Sequence, residues 1–133
     1  MYKRMLVCVT AARTSKEVVK VATKLCFRKT KVFVLHIVQQ LSKFTEDEVR
    51  KEFSWAVELF KKEGITSHLE IVESPDVKEA IISTAKKHAC DIIVTGTIPR
   101  KGLLGYFSES ISDYVIKKAP CTVVLVRSAS QLR

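Results

Sequence analysis

The residues best suited to chemistry form one loop and the start of the helix predicted to follow it. This segment begins at Gly96 and reaches Ile111, and it contains a basic pair and two serines: Arg100, Lys101, Ser108 and Ser110. Free backbone N–H groups, positive charge and hydroxyl donors at a helix start are groups that bind an anion. The segment therefore predicts a phosphate or anion site, although a tight surface turn also uses glycines and a serine also caps helices.

No combination of side chains in the sequence is typical of catalysis. The three histidines lie on different predicted elements and lack the spacing of metal ligands: His36, His68 and His88. There is no Gly-x-Ser-x-Gly motif and no paired-carboxylate arrangement of the kind that acid–base catalysis uses. The four cysteines lie far apart in apolar stretches, and we interpret them as small buried hydrophobic residues. We therefore expect no catalytic site, no metal centre and no required cofactor.

Five short segments predict the strands that must position this loop, at residues 4–10, 31–38, 69–72, 91–96 and 121–127. The first two are continuous apolar runs that are too short for helices and rich in β-branched residues. Amphipathic segments between them predict helices at residues 14–28, 45–64 and 74–89, and a fourth from residue 108 or 110. The expected helix caps are Thr14 or Ser15, then Thr45, then Ser74, and Ser108 or Ser110.

The alternation of strands and helices predicts one α/β domain over residues 1–133, with a parallel sheet covered on both faces. Ligands bind such sheets at the carboxyl ends of the strands that flank the point where the winding direction reverses. The loops that follow Thr10 and Gly96 are therefore expected to form the site.

Basic residues are concentrated at the beginning of the chain. The net charge is +9, and residues 1–31 contain nine Lys or Arg against the single acidic Glu17. Such asymmetry can indicate a surface for nucleic acid or an anionic membrane. Lys16, Lys20 and Lys24, at four-residue spacing, are also typical of a solvated helix face, which is the interpretation we prefer. No apolar run reaches the ~20 residues of a membrane span, and no cleavable signal is seen, so we expect a cytoplasmic protein without membrane insertion.

The sequence resembles the universal stress protein family. The similarity is most specific in the strand ending at Gly96, the loop, the serine-led helix and the closing run KKAPCTVVLV at residues 117–126. The opening YKRMLV and the strand end LHIV, which closes at Val38, are also similar, so the resemblance covers nearly the whole chain. It implies a three-layer α/β/α fold of the adenine nucleotide alpha hydrolase type, with five parallel strands in the order 3-2-1-4-5 and four helices.

The resemblance also implies where a nucleotide would bind. Nucleotide-binding members carry Gly-x-x-Gly, nine further residues and Gly followed by Ser or Thr, with an Asp at the end of the first strand. Gly96 and Ser110 match this pattern, whereas Pro99, Glu109 and Thr10 replace the two other glycines and the Asp. Proline fixes φ and lacks an N–H, and a carboxylate repels phosphate. The residues expected at the ligand site are Thr10, Val38, Gly96, Arg100, Ser108, Ser110 and Ile111.

The function implied by the resemblance is a non-catalytic stress-response or signalling protein. It would form a homodimer through the edge strand that runs from Cys121 to Arg127, and it would bind ATP, AMP or another anion weakly. Two alternatives stay open: a competent ATP-binding member that hydrolyses slowly, and a nucleic-acid-binding module that uses residues 1–31. Nucleic acid is the less favoured partner.

Overall fold

A computed structural model of the protein describes residues 1–40, 45–97 and 111–127. Strands and helices alternate along the chain as predicted. The strands are β1 (Arg4–Cys8), β2 (Lys31–Val38), β3 (Ser67–Glu73), β4 (Ile92–Gly96) and β5 (Thr122–Val126). The helices are α1 (Thr14–Leu25), α2 (Glu46–Lys62), α3 (Val77–Lys87) and α4 (Ile111–Lys118).

The five strands form one parallel sheet in the order β3-β2-β1-β4-β5, which confirms the predicted topology. The chain winds outward from β1 through β2 to β3, and it then returns to the other side of β1 to add β4 and β5. Met5 of β1 consequently pairs with Val32 on one side and Ile92 on the other. The winding direction therefore reverses between β1 and β4, where a ligand crevice is expected.

Each face of the sheet is covered by one pair of helices. The apolar sides of α1 and α2 pack on one face, where Val18, Phe53 and Phe60 join the core. On the other face, α3 and α4 contribute Ile81 and Val115 to a second core cluster. The central strand is buried on both faces, as a continuous apolar run predicts. None of the helices within the described ranges has the length and apolar character that crossing a membrane requires.

The helix starts partly differ from expectation. Thr45 caps α2 as predicted, since its hydroxyl accepts a hydrogen bond from the N–H of Glu48 at 3.2 Å. The prediction of Ser74 as the cap of α3 was wrong, because the carboxylate of Asp76 occupies that role and accepts from the N–H of Glu79 at 3.3 Å. Ser74 instead accepts a hydrogen bond from the N–H of Asp76 in the preceding turn.

The start of α1 also departs from the prediction, because neither Thr14 nor Ser15 is its cap. Arg13 occupies the cap position without a side-chain hydrogen bond, and Thr14 is the first helical residue. The hydroxyl of Ser15 turns back toward β1 and accepts the N–H of Thr10 at 2.7 Å. A serine that could cap the helix thus anchors the loop between β1 and α1.

Candidate functional site

A pocket of about 230 Å³ opens at the carboxyl ends of β1, β2 and β4. Its location is the one that the reversal of winding between β1 and β4 predicts. The walls are mostly aliphatic and include Val18, Leu35, Ile37, Val77, Ile81 and Ile111. No charged side chain lines it within the described part of the chain. The aliphatic walls described here favour a small, largely apolar group.

The pocket reaches both faces of the sheet. Val18 comes from α1, whereas Val77 and Ile81 come from α3 on the opposite face. The ends of β1 and β2 lie between these helices and form the floor. Because both helices begin at the carboxyl ends of strands, their amino-terminal turns line the crevice on two sides.

Local hydrogen bonds hold the loop that follows β1. The N–H of Thr10 donates to the hydroxyl of Ser15 at 2.7 Å, and the two hydroxyl oxygens are 3.3 Å apart. The N–H of Ala12 donates to the Thr10 hydroxyl at 3.1 Å. The oxygen of Thr10 is therefore already used as an acceptor within its own loop. A neutral, partly engaged hydroxyl interacts less strongly with a ligand hydroxyl than an ionised carboxylate does.

Gly96, at the end of β4, lines the pocket and also determines how closely α1 packs there. A Cβ atom at this position would lie 3.0 Å from Cγ2 of Thr14 and 3.1 Å from Cγ2 of Val18. Real Cβ atoms rarely approach other atoms so closely, and the side chains of Thr14 and Val18 would have to shift by a few tenths of an ångström. Packing thus favours glycine here, independently of any contact with phosphate.

Cys8 supplies the one sulfur atom among the described lining residues of the pocket. Burial raises the pKa of its thiol to about 12, although a hydrogen bond with Thr95 lowers it in part. The thiol is therefore neutral at physiological pH and is a poor nucleophile. Cys8 and the buried Thr95 of β4 give this part of the pocket a polar but uncharged character.

Three of the predicted site residues meet in this pocket: Thr10, Gly96 and Ile111. Val38 is not among the residues that line it; the partly buried side chain packs against the core cluster that includes α2, and the carbonyl accepts the N–H of Ser74 at 2.9 Å. Its neighbour Ile37 lines the pocket instead. The other predicted residues, Arg100, Ser108 and Ser110, lie outside the described residues, as do Pro99 and Glu109. The ligand contacts of all these residues stay predictions.

Sequence reasoning missed the aliphatic walls contributed by β2 and α3. These are Ile37, Val77 and Ile81. Their position was the available signal. Ile37 lies near the carboxyl end of β2, and Val77 and Ile81 lie at the start of the helix that follows β3. Their apolar type did not distinguish a ligand-facing position from a core position.

Two of the histidines are engaged in structural contacts. Nδ1 of His36 donates to the carbonyl of Val9 at 3.0 Å, and its ring stacks on Phe53. The ring of His88 pairs with the carboxylate of Glu70. Within the described residues, no group of three or more metal-binding side chains occurs.

Comparisons with known proteins identify relatives of this chain. The model of the universal stress protein family matches residues 1–127. A universal stress protein of Methanocaldococcus jannaschii is 29% identical over 87 residues, which are 65% of this chain and 51% of that protein. The chain thus spans about half the length of this curated relative.

Solved structures are similar to the fold over nearly its full length. A universal stress protein in complex with cAMP gives a TM-score of 0.79 at 17% identity, covering 96% of this chain and 98% of that one. The universal stress protein from Archaeoglobus fulgidus in complex with dAMP gives 0.72 at 20% identity, covering 93% and 97%. At these identities the similarity establishes the fold.

Proposed function

The chain belongs to the universal stress protein family, and we propose that it binds an adenine nucleoside monophosphate, with the base in the apolar pocket. One observation carries this proposal: a pocket of about 230 Å³ with aliphatic walls lies where the winding of the sheet reverses. The choice of ligand is supported by the relatives of similar fold that were solved with cAMP and dAMP.

The apolar walls favour a base over a phosphate. Ile37 at the end of β2 and Val77 and Ile81 of α3 offer aliphatic surface to a flat ring. Burial of roughly 150 Å² of ring surface stabilises a complex by about 4 kcal/mol, before the entropic cost of association is subtracted. A gain of this size gives weak binding, so base contacts alone do not make a tight site.

Binding of ATP is expected to be no tighter than binding of the monophosphate. Thr10 offers a neutral hydroxyl, already hydrogen-bonded to Ala12, where nucleotide-binding relatives place an Asp. In the loop that those relatives use for phosphate, Pro99 lacks an N–H and Glu109 adds a carboxylate. Arg100 and Lys101 remain in that loop, but a triphosphate would also meet one missing N–H and one repulsive carboxylate.

We propose binding rather than catalysis as the activity. The rings of His36 and His88 are held by Val9 and Glu70, and the thiol of Cys8 is neutral. These contacts give His36 and His88 structural roles. The protein would then act as a cytoplasmic stress-response or signalling component whose state depends on the nucleotide it holds.

We also propose that the protein is a homodimer that pairs through β5. This strand lies at the edge of the sheet beyond β4, and Val123, Val124 and Leu125 remain partly exposed along it. An apolar edge strand of this kind promotes pairing with another chain unless it is covered. A two-fold axis through β5 would cover it in both protomers.

Two isoleucines of α4 provide a matched test of the binding site. Ile111 lines the pocket and is 37% exposed, whereas Ile116, on the same helix, is 52% exposed and does not line it. We expect AMP to raise the melting temperature of the native protein and of Ile116→Glu, because binding to the folded state adds stability. Ile111→Glu should lose that shift. No shift by AMP in the native protein, or equal shifts in both variants, would refute the proposal.

A further inference from the structure

A second depression lies beside the pocket, on the outer side of the loop between β1 and α1. It is a groove of about 530 Å³ between the start of α1 and the middle of α2. Thr10 and Ala12 line both the pocket and the groove, so the two cavities meet across this loop. A ligand that crosses the loop would occupy both.

The groove differs from the pocket in charge. Its charged side chains are three cations and two anions: Arg13, Lys16, Lys20, Glu17 and Glu52. Lys20 lies 3.9 Å from Glu17, which partly neutralises both. Arg13 and Lys16 are exposed, and neither forms an ion pair with another described residue. The end of the groove nearest the pocket therefore carries uncompensated positive charge.

We propose that the phosphate of the bound nucleotide lies in this groove beside Arg13 and Lys16. The proposal rests on the proposed function, since it takes the base to be in the apolar pocket. In a nucleoside monophosphate one ribose separates base and phosphate, and here the ribose would lie over the loop at Thr10 and Ala12. The guanidinium and ammonium groups would bind the phosphate through charge-assisted hydrogen bonds.

In this arrangement the α1 side of the site binds the phosphate. The sequence pattern had assigned phosphate binding to the loop at residues 98–110. Pro99 and Glu109 disfavour phosphate in that loop, whereas Arg13 and Lys16, at the start of α1, form no ion pair with a described carboxylate. Two of the nine cations in the first 31 residues thereby have a specific use. The ligand class is a nucleoside monophosphate, because the three cations and two carboxylates of the groove leave a net charge of only +1, too little for a triphosphate.

Comparing the affinity for AMP with the affinity for adenosine isolates the contribution of the phosphate group. We expect the native protein to bind AMP about ten-fold more tightly than adenosine, the effect of one phosphate on two exposed cations. The double variant Arg13→Gln/Lys16→Gln should bind AMP as weakly as adenosine and leave adenosine unaffected. The control Lys24→Gln/Lys29→Gln removes the same charge from exposed positions outside the groove, and it should retain the preference.

Trp55 supplies a local readout, because it lines the groove and is the only tryptophan of the chain. AMP should change its fluorescence in the native and control proteins, and adenosine should change it less. If the Gln double variant keeps the preference for AMP, or if AMP and adenosine bind equally to the native protein, the groove is not the phosphate site while base binding stands. If neither ligand binds, the proposed function fails and the phosphate site fails with it.

Discussion

Gly96 and Thr14 approach so closely that a Cβ atom on the glycine would lie 3.0 Å from Cγ2 of the threonine. This contact joins the end of β4 to the first turn of α1, next to the pocket. Gly96→Ala should therefore lower the free energy of unfolding by about 1–3 kcal/mol, the usual cost of overpacking. Chemical denaturation measures the loss.

A double-mutant cycle separates this steric effect from other effects of the alanine. Thr14→Ser removes the methyl group that the new Cβ would contact, so the double variant should be more stable than the sum of the single effects predicts. Simple additivity would show that the contact with Thr14 is not the cause of the loss.

The edge strand gives a prediction about assembly. Val124→Asp should convert the proposed dimer into monomers or insoluble protein, since a carboxylate on β5 opposes pairing of two apolar edges. Light scattering at micromolar concentration measures the mass. Lys24→Asp, on the exposed side of α1, is the matched control and should leave the mass unchanged. A monomeric native protein would contradict the dimer.

The Glu70 carboxylate predicts a pH dependence of stability. Partial burial opposes its ionisation, but hydrogen bonds from His88 and Lys87 outweigh burial and lower its pKa below the ordinary 4.5. Its folded-state pKa is lower than its unfolded one, so ionised Glu70 stabilises the fold above the unfolded pKa. That stability is lost as pH falls through the folded pKa.

Melting temperatures at pH 7 and at pH 3 test this prediction. Glu70→Gln should melt below the native protein at pH 7, and the difference should shrink at pH 3, below the ordinary pKa of 4.5. Glu58→Gln changes an exposed carboxylate on α2 and should have little effect at either pH. A difference for Glu70→Gln that is constant with pH would contradict the role of the ionised carboxylate.

The raised pKa values of the cysteine thiols predict that they react slowly with thiol reagents. Burial raises the pKa of Cys8 to about 12 and those of Cys26 and Cys90 to about 11, and it also raises that of Cys121. Because the thiolate is the reactive form, alkylation at pH 8 should be slow in the folded protein and fast after unfolding. Mass spectrometry after timed quenching measures both. Rapid alkylation of Cys8 in the folded state would show that the pocket activates it.

The sequence predicted the architecture more completely than the site. Short apolar runs separated by amphipathic segments implied parallel strands with helices on both faces, and the resemblance implied the strand order that is observed. Boundaries near caps were less predictable. Ser74 and Asp76 are both chemically suited to cap α3, and the path of the turn decided between them.

The pocket walls were harder to predict for a physical reason. A strand that is apolar on both faces has no alternating pattern, so nothing local distinguishes Ile37, which lines the pocket, from Val38, which packs in the core. The pairing of α1 with α2 into a groove is likewise a long-range consequence of the topology. The spacing of Lys16 and Trp55 in the sequence does not show that both residues line one groove.

The central claim is that the protein binds adenosine monophosphate (AMP) and that Mg-ATP binds no more tightly than AMP. Calorimetric titration of the native protein with AMP and with Mg-ATP under identical conditions tests this most directly. We predict measurable binding of AMP, and binding of Mg-ATP that is no tighter than about millimolar, near −4 kcal/mol. Micromolar binding of Mg-ATP, or no heat with AMP when the protein is folded, would contradict the account.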